Sequence, residues 1–276
     1  TSVSGFGQTG ELKNRAGINL IIEALSGTLS VMGEKGEMPP RPGLQTADIL
    51  GAMFATYSTL AGLIGQIKYN QGVYADVSLI EASIASAVWE TTEFLSSGVV
   101  PEQLGHSHRA SAPYQLFKTN DKRYIAIGAP SDAHFKRLMD ILDLNDLVEN
   151  PKFISYSSRK ENENDLVPVV ANKIRDWDSS NLEIRLTEAG IPCGCVRNYE
   201  EALNNPHSFD RQLLAEISDG QGAKIKTIRN PVLINNKPIN INNLAPELGQ
   251  QSFEILNEVG IDENMFSKLV SDGITI

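Results

Sequence analysis

The sequence predicts a mixed α/β protein built in two parts. Three observations carry this. Long helical runs alternate with short β-rich runs over the first hundred residues. A segment at 98–112, with a proline, two glycines, two histidines and an arginine, breaks all periodicity and reads as a connection between domains. Beyond it, hairpin-like and amphipathic helical patterns follow one another as a compact α/β region. A chain of 276 residues with 41% apolar residues is long enough to bury a substantial core.

Taken in order, residues 2–10 read as a strand end running into a glycine turn, with Val3 and Phe6 apolar and Gly5, Gly7 and Gly10 as punctuation. This resembles the middle of an α/β unit, so an upstream portion is expected to be missing. A helix is expected over 20–30. Residues 33–43 hold three prolines and three glycines and form a loop. The run 49–68 is expected to be a long buried helix, whose Gly51, Ala52, Ala55, Ala61 and Gly62 permit close approach of neighbours. A short strand at 73–78 and a helix at 79–97 follow.

In the second part, residues 114–117 and 124–127 flank the Asn120-Asp121 turn as a hairpin. Phe135, Leu138, Met139 and Leu142 mark one face of a helix at 132–142. Two more helices are expected at 162–177 and 180–189. Strands return over 211–232 around a Gly220-Gln221-Gly222 turn, and the tail at 247–270 is amphipathic and helical.

Charge and cysteine content narrow the function. A formal net charge of −10 opposes binding to nucleic acid or an anionic membrane at long range. A local pair of cations still suffices for a small anionic ligand, because distant charges are screened beyond roughly 10 Å. No run of eighteen apolar residues suggests membrane insertion. Cys193 and Cys195 are too close in sequence for a relaxed disulfide. With no signal peptide visible, a reducing compartment, the cytoplasm, is expected. The C-x-C pair has no histidine nearby, so no metal site is expected.

Several segments together resemble the family III CoA-transferases. They include Ser4-Gly5-Phe6-Gly7-Gln8-Thr9-Gly10, then Arg15-Ala16-Gly17-Ile18-Asn19-Leu20, and Ala24-Leu25-Ser26-Gly27. The block Arg41-Pro42-Gly43-Leu44-Gln45-Thr46-Ala47-Asp48 is similar to the segment leading into the family's catalytic aspartate. Further similar blocks are Gly72 to Ser78, Ala112-Pro113-Tyr114, Tyr124 to Gly128, Ala189 to Gly194 and Leu248-Gly249, all in the family's order.

The resemblance implies a Rossmann-like large domain formed from both ends of the chain, 1–104 and 211–276, with a smaller α/β domain at 105–210 inserted. It also implies an interlocked homodimer. The implied activity moves CoA between small carboxylic acids, with acyl-CoA as substrate and no tightly bound cofactor. Dicarboxylates are one implied substrate class.

Asp48 read alone is a helix N-cap; the resemblance makes it the nucleophile. His106, His108 and Arg109 read alone as a polar linker, while the resemblance implies a loop over the reacting centre. Gly7 and Gln8 read as a tight turn, or, by resemblance, as neighbours of the CoA arm. Arg15 is either an anion contact or a surface charge. Ile18 stands where related α-methylacyl-CoA racemases carry a histidine, and an isoleucine moves no proton. Asp132 is expected to cap the helix it begins. The remaining alternatives are a racemase on the same scaffold and a truncated, non-catalytic dimerising scaffold. An NAD-dependent Rossmann enzyme lacks the expected glycine fingerprint and acidic ribose ligand.

Overall fold

The computed structural model describes residues 1–218, 224–241 and 243–276, so the expected turn at Gly220-Gln221-Gly222 lies outside the described residues. The chain divides into two compact units, Thr1–Val196 and Arg197–Ile276. Both mix helices with short strands, as the sequence predicts.

The first unit opens with β1 (Ser2–Ser4), α1 (Asn19–Leu25), α2 (Thr46–Tyr69), β2 (Asp76–Ser78), α3 (Leu79–Ser86) and α4 (Val88–Ser97). β1 and β2 pair in parallel, Val3 opposite Val77, and α2 lies against both. Parallel neighbours require a crossover, which the helices between them supply. The helix expected at 20–30 stops early: α1 ends at Leu25, and Gly27 at φ 86° leads into a 3-10 turn at Thr28–Val31. The helix expected at 79–97 is two helices, parted at Ala87.

Gly51 decides how α2 sits. A Cβ at this position would lie 2.1 Å from Leu79 Cδ2, so the bare glycine gives the Leu79 side chain its seat and any larger residue must displace it. The rest of α2 corrects the sequence reading. The helix is long and apolar but not buried: only Ala47 and Gly51 are fully covered, while Ile64 and Ile67 are 64% and 78% exposed. The reason is geometric. α1, α3 and two short strands cover one stripe, Val73 and Thr1 touch Gly62 and Thr59, and most of the remaining apolar side chains are left exposed. By length and composition, α2 is also the one described helix that could cross a membrane.

The rest of this unit is β3 (Tyr114–Lys118), β4 (Tyr124–Gly128), α5 (Asp132–Ile141), α6 (Tyr156–Glu161), α7 (Glu163–Ile174), α8 (Ser179–Glu188) and β5 (Cys193–Cys195). The expected hairpin forms, with Gln115 opposite Ile127 and Phe117 opposite Ile125, and β5 adds antiparallel to β4. Helices cover the sheet. Phe135, Leu138 and Met139 of α5 join Leu166, Val170 and Ile174 of α7 and Leu182 and Leu186 of α8. Fifteen buried residues form this core, against three, Phe6, Ile22 and Ala47, in the cluster under α1 and α2. At roughly 1.5–3 kcal/mol per buried large side chain, the α/β region stabilises itself, whereas the opening part has a thin core.

Asp132 is not a cap. Ser131 caps α5 by accepting from the His134 N–H, and Asp132 accepts from Arg159 at 2.7 Å. Arg159 is buried, donates to the Phe153 carbonyl at 3.1 Å and lies over the Phe135 ring. The Cys193 and Cys195 thiols donate to the Glu183 and Ser179 carbonyls, and burial pushes both above the usual thiol range.

The second unit contains α9 (Tyr199–Leu203), α10 (Pro206–Asp210), β6 (Leu214–Ser218), β7 (Lys224–Ile228), β8 (Leu233–Ile234), β9 (Lys237–Pro238), α11 (Ser252–Glu258) and α12 (Glu263–Ser271). β6 and β7 pair antiparallel, as do β8 and β9. Phe253 and Phe266 join α11 to α12 through an edge-on ring contact.

Candidate active site

Asp48 is the third residue of α2, inside its first turn rather than at its cap. The cap comes from another helix. Gln45, at the N-cap position, offers no side-chain bond. Instead Oδ1 of Asn19, the first residue of α1, accepts the N–H groups of Ala47 at 3.0 Å and Asp48 at 3.4 Å. The Asp48 carboxylate is exposed and makes no hydrogen bond or ion pair among the described residues. It also lies where the helix dipole favours negative charge. Beneath it, Thr46 Oγ1 donates to the buried carboxylate of Glu23.

The glycine turn is held from both β1 and β2. The Gly7 N–H donates to Ser4 Oγ at 3.0 Å and the Gln8 N–H to Asp76 Oδ2 at 2.8 Å. The Gln8 amide folds back to donate to Ser2 Oγ at 2.9 Å. Asp76 also lines a cavity of about 210 Å³ with Tyr57, Ser58 and Glu81. Arg15 rests over the Phe6 ring, 5.6 Å from its centroid.

The histidine loop is pinned at three points. The Gly105 N–H donates to the Gly33 carbonyl at 2.8 Å, and a Cβ on Gly105 would strike the Glu34 carboxylate. Ser107 Oγ donates to Glu163 at 2.7 Å, and Lys160 bonds both groups. The Arg109 guanidinium pairs with Glu90 and Glu93 of α4, so its charge is balanced within the chain. Glu90 and Glu93 fall on one face of α4 by their spacing. His106 is a surface residue 3.8 Å from Glu34. His108 is half-buried against Tyr114 and Trp89. Burial first, then Lys160 and Arg109, hold its pKa below 6.5.

Thus Gly7, Gln8 and Asp76 come together, and so do His108, Arg109 and α4. No hydrogen bond or ring contact joins Asp48 to the histidine loop among the described residues. The roles of Asn19, Asp76, Glu90 and Glu93 were not read from the sequence. Glu90 and Glu93 carry a signal in their helical spacing. Asn19 does not, since its partners lie nearly thirty residues away. No cluster of three or more metal-ligating side chains occurs among the described residues.

Comparison with known proteins identifies the family. The sequence model of CoA-transferase family III matches residues 1–252. The chain is 25% identical to a succinate–glutarate CoA-transferase of Agrobacterium fabrum, covering 94% of this chain and 64% of that protein. It is 28% identical to the human succinyl-CoA:glutarate CoA-transferase, covering 99% of this chain and 62% of that one. The chain therefore spans less than two thirds of the length of these relatives. Among solved structures, a CAIB/BAIF family protein from Brucella suis superposes with a TM-score of 0.79 at 24% identity, covering 93% of this chain and 66% of that one, which shows a shared fold. This chain belongs to CoA-transferase family III.

Proposed function

We propose that the protein moves coenzyme A between carboxylic acids through a covalent thioester on Asp48. The observation that carries the reading is the exposed Asp48 carboxylate, unpaired among the described residues, in the first turn of a 24-residue helix. Asp48 attacks the thioester carbonyl of an acyl-CoA and releases the CoA thiolate, leaving a mixed anhydride. The thiolate attacks the aspartyl carbonyl, which forms aspartyl-CoA and frees the first acid as its carboxylate. The acceptor carboxylate then attacks, and the same two exchanges run in reverse. Each step trades one anion for another, so the cycle needs no net proton transfer. The helix N-terminus stabilises the negative oxygen of each tetrahedral intermediate.

Dicarboxylates are the substrate class we favour, because the two relatives act as succinate–glutarate and succinyl-CoA:glutarate CoA-transferases. A panel of acceptor acids with succinyl-CoA as donor tests this on the full-length protein. Transfer to a C4–C6 dicarboxylate supports it. Thioester hydrolysis without transfer contradicts it. We also read the uncovered face of α2 as a protein contact within a homodimer rather than a bilayer span, because the Asn19 cap and the close contact of Gly51 with Leu79 tie its first turns to a folded α/β unit. Sedimentation of the full-length protein checks this, a stable monomer being the contrary result.

A further inference from the structure

Asn19 and Glu23 lie one turn apart on the same face of α1. Ile22 is fully buried between them, in the cluster with Phe6 and Ala47. This face grips the start of α2 twice. Asn19 accepts the N–H groups of Ala47 and Asp48, and Oε1 of Glu23 accepts the Thr46 hydroxyl. Thr46, Ala47 and Asp48 are the first three residues of α2. One grip leaves a helical turn free to pivot; a second, through a side chain, fixes its rotation.

Stability gives no reason for a carboxylate at position 23. Glu23 is buried, and its Oε2 has no hydrogen-bond partner among the described residues. No lysine or arginine among the described residues pairs with it either. Arg159, the other buried charged side chain among the described residues, is met by Asp132, by the Phe153 carbonyl and by the Phe135 ring. A buried polar atom left without a partner costs stability, and an apolar side chain of similar length in its place carries no such cost. What the carboxylate supplies at position 23 is its hold on Thr46.

We propose that Glu23 is a positioning residue for Asp48, kept at a cost in stability. Through the Thr46 hydroxyl it sets the rotation of the first turn of α2, and with it the direction in which the Asp48 carboxylate meets the thioester. It touches no reacting atom. The role in CoA transfer rests on the reading of Asp48 as the nucleophile; the hold on Thr46 and the cost in stability do not.

Three substitutions in the full-length protein decide it. E23M removes the acceptor at nearly the same length, E23Q keeps an acceptor oxygen, and T46V removes the hydroxyl. E23M should keep or raise the urea midpoint yet lower kcat about ten- to a hundredfold, with KM little changed. T46V should lower kcat to a similar extent, and E23M with T46V together no further than either alone. E23Q should hold kcat within about threefold of the parent. A parental kcat in E23M or T46V overturns the proposal, and so does a fall in E23Q as large as that in E23M. A lowered midpoint in E23M, or its failure to fold, overturns the cost in stability, and T46V with E23Q still decides the positioning. Should the parent transfer no CoA to any acid, the functional reading fails by itself, and hydrogen exchange at 46–50 decides the hold on α2. Faster exchange there in E23M and T46V supports the hold, and unchanged exchange overturns it.

Discussion

Replacing Asn19 with alanine removes the acceptor that caps α2 from outside the helix. Its Oδ1 receives two N–H groups, those of Ala47 and Asp48. Gln45 supplies no substitute, so both donors lose their protein partner. Caps of this kind are worth about 1 kcal/mol, within a range of roughly 0.5–2. Water replaces part of the loss at Asp48, which is exposed, and less at Ala47, which is fully buried. A loss of about 1–1.5 kcal/mol is therefore expected, or a urea midpoint lower by about 0.5 M for a slope of about 2–3 kcal/mol per M.

The loss should also be local. Native-state hydrogen exchange should quicken at residues 46–50 before it changes in α5, α7 or α8, whose core is independent of α1. Because the same cap orients the first turn around Asp48, kcat should fall more than KM rises. Asn19→Asp keeps an acceptor oxygen and should recover most of the stability. Unchanged exchange at 46–50 in Asn19→Ala, with an unchanged midpoint, would refute the reasoning.

Other consequences follow from the same geometry. Gly51→Val should destabilise the first unit by about 1–3 kcal/mol through overpacking against Leu79, measured by thermal or urea unfolding. Asp121 is held down to about 2 by its bonds from Thr119 and Ser179. Its contribution to stability is fully present above its ordinary value of 3.8 and is lost as the pH falls from there through about 2. Carbon-13 NMR of its carboxyl should follow that low titration, and a midpoint near the ordinary value would contradict it. With Ile18 in place of an ionisable residue, a 2-methylacyl-CoA in deuterated water should show no α-proton exchange on the timescale of CoA transfer. Exchange at a comparable rate would restore the racemase reading.

The sequence made some features legible because local chemistry decides them. The face of α5 follows from its apolar spacing, and the β3–β4 hairpin from alternation around a turn. Other features depend on partners far along the chain. β5 is three residues with no alternation, defined by its pairing with β4. The break at Ala87 carries no glycine or proline. The cap from Asn19 reaches across to residues 47 and 48. α9 and α10 did leave signals that were passed over: Asn198 and Glu201 form a capping box, and Asn205-Pro206 is a cap followed by a first-turn proline. At the candidate site, only the motif before Asp48 singles it out. An aspartate opening an apolar helix is otherwise indistinguishable from a cap. The apolar run of α2 was read as buried because hydrophobicity alone does not say which surface covers it.

The central claim is that Asp48 carries the covalent intermediate. Mass spectrometry of the full-length protein, after incubation with an acyl-CoA and trapping by hydroxylamine or borohydride, tests it most directly. The account predicts one modified peptide, labelled at the Asp48 side chain, and no label in Asp48→Ala, which should still fold and bind CoA. A label on another carboxylate with Asp48 untouched would contradict it.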